Sequence, residues 1–341
     1  MVNFLKKYGT LFGFLSIVTF FSIQLPTTFL TAQNIINISQ QISMLAVVAF
    51  SMTIVMVMND FDLSVGSMAS LSGVIAAVLF TMDYPVWLAI SIALLAGVIG
   101  GTFNGILVAV VGILPFVATL GTLTMFSGLA FVVSGGKTIF GRDIPEQFSA
   151  FARSSFEVDV LSMKIPYLST LSLLILLLVW FILEQTVAGR HLYSIGGNRE
   201  AAYLAGIKVK ILKVYAFALT GFGAAVAGLM YASRVASANP TQGSGLMLDA
   251  IAAVFLGMTM SSQGEARVGY TLVGVLILGV LDNGLTQMRV DSYVREILVG
   301  LIVIMAVACD EAVNLANKYC DTQGRKMING VLRRLQRVKV K

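Results

Sequence analysis

The sequence predicts an all-α, polytopic membrane protein with about ten transmembrane helices. Three observations carry that prediction: apolar runs of membrane-spanning length, a charged fraction of only 12%, and basic residues gathered on one side of the chain's expected path. Hydrophobic residues make up 57% of the 341 positions, and mean hydropathy is +0.88. A soluble domain is about one quarter charged, so half the usual charge is missing. The runs LSTLSLLILLLVWFIL at 168–183 and LVGLIVIMAVA at 298–308 carry no polar stripe at helical period. A bilayer core about 30 Å thick takes roughly 20 such residues per helix. The 32 glycines suit helices that pack closely in lipid.

Taken in order, the first span falls at 8–25. Lys6 and Lys7 ahead of an apolar stretch look like a secretory signal, but the stretch is long for a signal core and no small-residue cleavage site follows. Further spans are expected at 36–58, 64–82, 86–111, 115–134, 167–184, 212–232, 247–261, 268–287 and 293–309. Orientation follows from Lys and Arg, which favour the cytoplasmic side. With the N-terminus inside, 16 of the 23 basic residues face inward: Lys6, Lys7, five from Arg190 to Lys213, Arg267, and eight after Asp310. An even number of spans puts both termini in the cytoplasm. The expected layout is a transmembrane domain at 1–309, an outward loop at 135–166, an inward loop at 189–211 and a basic cytoplasmic tail at 310–341. In the tail, 325–341 reads as an amphipathic helix for an anionic inner leaflet or as a merely solvated basic segment.

GTFNG at 101–105 returns loosely as GVLDNG at 279–284, and Asp62 and Asp249 flank earlier spans that run in opposite senses. This predicts an inverted internal repeat, whose interface is where such transporters place their pathway.

The polar positions come next. Asn59-Asp60-Phe61-Asp62-Leu63-Ser64 separates two apolar spans. Two carboxylates within three residues imply a membrane end or a watery cavity, because a charge at the bilayer centre costs about 2.5–3.5 kcal/mol. Asp62 suits both the cap of the next helix and a contact with cargo. Gly97, Gly101 and Gly105 recur on one helical face with Asn104 alongside, a close-packing pattern. In the inward loop, Asn198 is a good N-cap, Glu200 favours a helix start and Gly206 can end a helix left-handed. They predict a two-turn helix at 199–205, set between spans and suited either to a surface linker or to a partner's groove. Cys309, Cys320 and His191 are too few for a metal site or a disulfide framework, so reduced thiols are expected. There is no phosphate-binding Gly-x-x-x-x-Gly-Lys-Ser/Thr loop and no catalytic triad or metal constellation. No catalytic residue, no cofactor and no nucleic-acid partner are expected for this chain.

At this point a resemblance becomes specific. DLSVGS at 62–67, GGNREAAYLAG at 196–206, LDAIAAVFLG at 248–257 and LILGVLDNGL at 276–285 resemble, in the same order, the ribose-type sugar permeases of ATP-binding-cassette importers. The resemblance runs over nearly the whole chain. It implies a bacterial inner-membrane permease subunit working with a second permease copy, a cytoplasmic ATPase with two fused nucleotide domains that uses ATP and magnesium, and an extracytoplasmic sugar-binding protein. It further implies that Gly196, Gly197, Asn198, Glu200, Ala201, Ala202 and Gly206 couple to the ATPase. Phe61, Asp62, Ser64, Asn104, Asp249 and Asn283 are the expected pathway or gate residues, since sugars call for amides, hydroxyls and aromatics. Arg142 and Arg153 are the expected docking residues for the binding protein. Two departures bear on cargo: Met258-Thr259-Met260 replaces a usual Gly-Thr-Ser, and Asp60 stands where glycine is more common. A nucleoside or branched-chain amino acid cargo remains an alternative, as does ion-coupled secondary transport, although most carboxylates here flank spans.

Overall fold

The computed structural model describes residues 2–158, 163–261 and 264–319. Helices α1 (Val2–Gln24) and α2 (Ala32–Met56) open the chain, and Thr31 caps α2 by accepting from the Asn34 N–H. Then come α3 (Val65–Thr81) and α4 (Val86–Ile106), which continues as a π-helical turn through Val111 and stops at Gly112, φ 90°. Pro115 opens α5 (Pro115–Ser134), where its fixed φ suits the first turn. The segment after α5 holds β1 (Ile139–Phe140), α6 (Glu146–Arg153), β2 (Ser155–Val158) and β3 (Met163–Pro166). Next are α7 (Tyr167–Trp180), extended by a π turn to Gln185, then α8 (Val187–Gly197), α9 (Arg199–Leu204) and the 27-residue α10 (Val209–Val235). The described residues close with β4 (Ser237–Ala238), α11 (Ser244–Met258), α12 (Val268–Gln287) and α13 (Ser292–Tyr319).

Each of the ten expected spans falls on a helix. Six are long and apolar enough to cross a bilayer: 32–56, 86–111, 115–134, 167–185, 209–235 and 268–287. The apolar parts of α1, α3 and α11 are shorter, at 9–24, 65–81 and 244–258. The fold is helical as expected, and two small antiparallel ribbons accompany the helices, β1 with β4 and β2 with β3. Both lie at the end of the bundle where the long 135–166 segment sits. That segment is docked on the helices: Phe148 of α6 packs on Phe80 of α3 at 5.0 Å, and the Ser233 hydroxyl donates to the Phe148 carbonyl at 2.6 Å. The amphipathic reading of 325–341 lies outside the described residues.

At the centre is α10, packed on α2, α3 and α4. The glycine stripe of α4 explains the closest of these contacts. A methyl on Gly101 would strike the Phe217 carbonyl, and one on Gly221 would strike Gly97 and Gly101. Lipid tails are as apolar as the helices, so this dense backbone contact supplies cohesion that hydrophobicity between helices cannot.

Candidate functional site

The link between α2 and α3 gathers most of the predicted polar residues. Asn59 sits at φ 58°, a left-handed conformation that asparagine tolerates better than most residues. Its amide donates to the Gly196 carbonyl at 2.8 Å. The next residue, Asp60, forms an ion pair with Lys213 of α10 at 2.6 Å, with both side chains less than one tenth exposed. Burial pushes the Asp60 carboxyl upward, while the Lys213 ammonium pulls it back toward the charged form. Asp62 is 1% exposed, and its Oδ1 accepts from the Ser64 N–H at 2.9 Å and the Ser64 hydroxyl at 2.6 Å. Asn104 of α4, fully buried, donates to Ser64 Oγ at 2.8 Å and to Asp62 Oδ1 at 3.4 Å. Its own Oδ1 has no partner among the described residues. Asp62 is therefore not the N-cap of α3; Ser64 holds that position, and Asp62 fixes Ser64.

Just beyond this network, two short helices begin against each other. Gly66 lies in the first turn of α3 and Gly243 is the N-cap of α11, and a methyl on either would strike the other's carbonyl. Ser70 Oγ accepts the Gly243 N–H at 2.8 Å. Met68 lies over Gly100, close to where Gly101 meets Phe217, so α3 starts partway along α10 and not at its end. At 17 and 15 residues, α3 and α11 fall short of the roughly 20 that a full crossing takes. Phe61 lies away from this junction, at the other end of α11, its ring 6.0 Å from that of Phe255 in the last turn of that helix. Paired short helices whose N-termini meet inside the bundle are the arrangement that transporters use for a binding site near the bilayer midplane.

The predicted helix after Asn198 is present as α9. Asn198 Oδ1 accepts from the Ala201 N–H at 3.0 Å, and Gly206 turns the chain out at φ 83°. Glu200 and Ala201 are exposed, whereas Ala202 is 4% exposed and packs into the bundle as part of the helix's seat. The outward face is made by Tyr203 and Leu204, 70% and 79% exposed, which sequence reasoning missed. It also missed α8, capped by the Thr186 hydroxyl accepting from the Gly189 N–H. Gly196 and Gly197 end α8, and Gly196 rests on the Val57 carbonyl with no room for a side chain. Tyr193 of α8 donates to Glu184 Oε1 at 2.9 Å beneath the Arg267 guanidinium, 5.5 Å from its ring. Burial, and then the hydrogen bond to Glu184, hold that phenol protonated.

The remaining predicted residues lie elsewhere. Asn283 accepts from Asn34 at 3.0 Å and from Gln287 at 2.9 Å, joining α12 to α2. Its neighbour Asp282 pairs with Arg295 at 2.9 Å and with Gln41. Asp249, in the second turn of α11, is exposed on the side of Asp282, Arg295 and Glu296. It is not the positional counterpart of Asp62, which precedes α3. The expected pathway set thus divides into an Asp62–Ser64–Asn104 cluster and a separate group around Asp249 and Asn283. Arg142 is exposed in a 3-10 turn, and Arg153 bonds back to Ser149 of its own helix at 2.9 Å.

The family model described as "Branched-chain amino acid transport system / permease component" matches residues 34–307, which hold α9, the Asp62 cluster and both short helices. The chain belongs to this permease family. A second model, the NusB family, matches only 296–337, a short stretch that begins within α13 and overlaps the end of the permease match. The permease is 38% identical over 306 residues to the ribose import permease protein of Bacillus subtilis (strain 168), covering 90% of this chain and 93% of that one. It is also 33% identical over 312 residues to the D-allose transport system permease protein of Escherichia coli (strain K12), covering 91% and 93%. With the L-arabinose transport system permease protein of that strain, identity is 33% over 304 residues, covering 89% and 90%. No solved structure matches the permease.

Proposed function

We propose that the permease is the membrane-spanning subunit of an ATP-driven importer and passes a monosaccharide of the ribose, allose or arabinose kind through the bilayer. The observation that carries this reading is the seat of α9. Its Tyr203 and Leu204 face away from the bundle, while Asn59 and Val57 tie its neighbour Gly196 to the strand of chain that leads to Asp62. A push on α9 therefore reaches the Asp62–Ser64–Asn104 network through a few covalent bonds and one hydrogen bond.

On this reading the chain crosses the membrane ten times with both termini inside, α3 and α11 entering as short helices that meet at Gly66 and Gly243. A cytoplasmic ATPase with fused nucleotide domains grips Tyr203 and Leu204 and uses the ATP and magnesium. A second permease copy completes the translocation unit, and a sugar-binding protein docks at the end bearing Arg142 and α6. Phe61, Ser64 and Asn104 offer the cargo an aromatic face, a hydroxyl and an amide, the groups that suit a polyol without ion pairs. The experiment is reconstitution in liposomes with the ATPase and binding protein, measuring ATP-dependent uptake of ribose, allose and arabinose. Uptake of at least one of them supports the reading. Uptake abolished by a protonophore while ATP stays high would assign the permease to ion-coupled transport instead.

A further inference from the structure

Two grooves meet at the first turn of α10, and their chemistries differ. Along the bundle wall, α4 with its π turn and α10 enclose an apolar groove of about 660 Å³, floored by Val214, Ala218 and Phe222 at four-residue spacing. At the end of the bundle, the space between α9 and α10 forms a second groove of about 550 Å³. Arg199, Lys208 and Lys210 border it against the single acid Glu200. Lys210 and Ile211 line both, so the two adjoin at the first turn of α10. None of the three basic residues forms an ion pair among the described residues, and all three are exposed.

We infer that this composite groove binds one anionic glycerophospholipid, its phosphate at Lys208, Lys210 and Arg199 and an acyl chain along Val214, Ala218 and Phe222. The dimensions agree: at 1.5 Å per residue, Phe222 lies about 18 Å from Lys210, close to the half-thickness of a bilayer core. Charge complementarity selects the headgroup, since the rim carries three positive charges against one negative, and a zwitterionic headgroup would leave that excess unmet. Basic clusters where spans leave the membrane attract anionic lipid in this way. A second copy of the chain would match one groove but not the junction of an apolar channel with a basic rim, and the ATPase, which borders the basic groove at Tyr203, leaves the apolar channel on the bundle wall to the acyl chain. The site borders α9, so the lipid holds the seat of that helix from the membrane side. The assignment of the leaflet rests on the orientation proposed above; lipid binding itself does not.

The test is native mass spectrometry of the permease extracted from vesicles of one part phosphatidylglycerol to four parts phosphatidylcholine. The expected result is retention of one phosphatidylglycerol per chain despite its minority. Lys208→Gln with Lys210→Gln should cut that retention on the order of 25-fold, about fivefold per lysine. Lys137→Gln with Lys164→Gln, an equal loss of exposed charge elsewhere, should leave it unchanged. Ala218→Trp, which fills the channel, should also remove the lipid. Retention in proportion to the vesicle composition, or retention unaffected by the Lys208/Lys210 double change, overturns the proposal. So does an Ala218→Trp permease that loses self-association but keeps its lipid, which would give the groove to a second copy. Both lysines are exposed, so the double variant leaves the core intact, and the measurement is independent of whether a sugar is imported.

Discussion

Asp60 and Lys213 meet at 2.6 Å with both side chains almost excluded from solvent, an arrangement in which each charge depends on the other. Removing one partner from such a pair costs about 3–5 kcal/mol, whereas replacing both with apolar groups of similar size is often neutral. Asp60→Leu and Lys213→Met should therefore each lower thermal stability in detergent sharply, and the double change should recover most of the loss. Equal and additive losses would show that the pair is not coupled. Asp62 obeys a different rule, because its Oδ1 serves the Ser64 hydroxyl and amide as an acceptor. Asp62→Asn keeps an acceptor oxygen and should cost about 1 kcal/mol, while Asp62→Ala strands Ser64 and should cost about 1–3 kcal/mol. Chemical denaturation of the two variants checks the ordering. The sequence made Asp62, Ser64 and Asn104 legible, because polar groups between apolar runs are conspicuous. It could not show Lys213 as the partner of Asp60, since nothing local links positions 153 residues apart. Nor could the sequence show that Asp249 falls in the second turn of α11, which depends on where that helix starts, at Gly243 against Gly66.

At the scale of elements, α9 was the most legible part of the chain. Asn198 starts it and Gly206 ends it, and both signals act locally through backbone hydrogen bonding and φ. Which face it turns outward was not legible, because six residues carry no strong periodicity and the seat is formed by residues remote in sequence. Ala202 is buried, so Ala202→Asp should unseat the helix by forcing a carboxylate against the bundle, with a cost of several kcal/mol if it stays charged. Protease accessibility of the α8–α9 segment should rise in that variant and stay unchanged in Tyr203→Ala/Leu204→Ala, whose side chains point away. Gly206→Val should behave like Ala202→Asp, since a β-branched residue resists φ 83°. Helix α8 escaped sequence reasoning because its glycines lower intrinsic helicity; packing of Leu192 and Ile195 supplies what propensity lacks.

For the whole molecule, composition gave the class and the apolar runs gave most helices to within a few residues, while α1 starts six residues earlier and α13 runs ten residues further than their apolar cores. The meeting of α3 and α11 at Gly66 and Gly243 was hidden, because a helix that begins inside the bundle has the same hydropathy as one that begins at its edge. The orientation proposed here has a direct check: a single cysteine in the 135–158 segment should react with an impermeant thiol reagent from outside intact cells, and one at Ala201 should react only after lysis. The central claim, that α9 hands ATP-driven motion to the Asp62 network, is tested most directly by one measurement. Tyr203→Ala/Leu204→Ala permease is reconstituted in liposomes with the ATPase and binding protein, and sugar import and ATPase retention are read together. The account predicts a folded, membrane-inserted protein that loses the ATPase and imports at background rate. Normal import with the ATPase retained would contradict it.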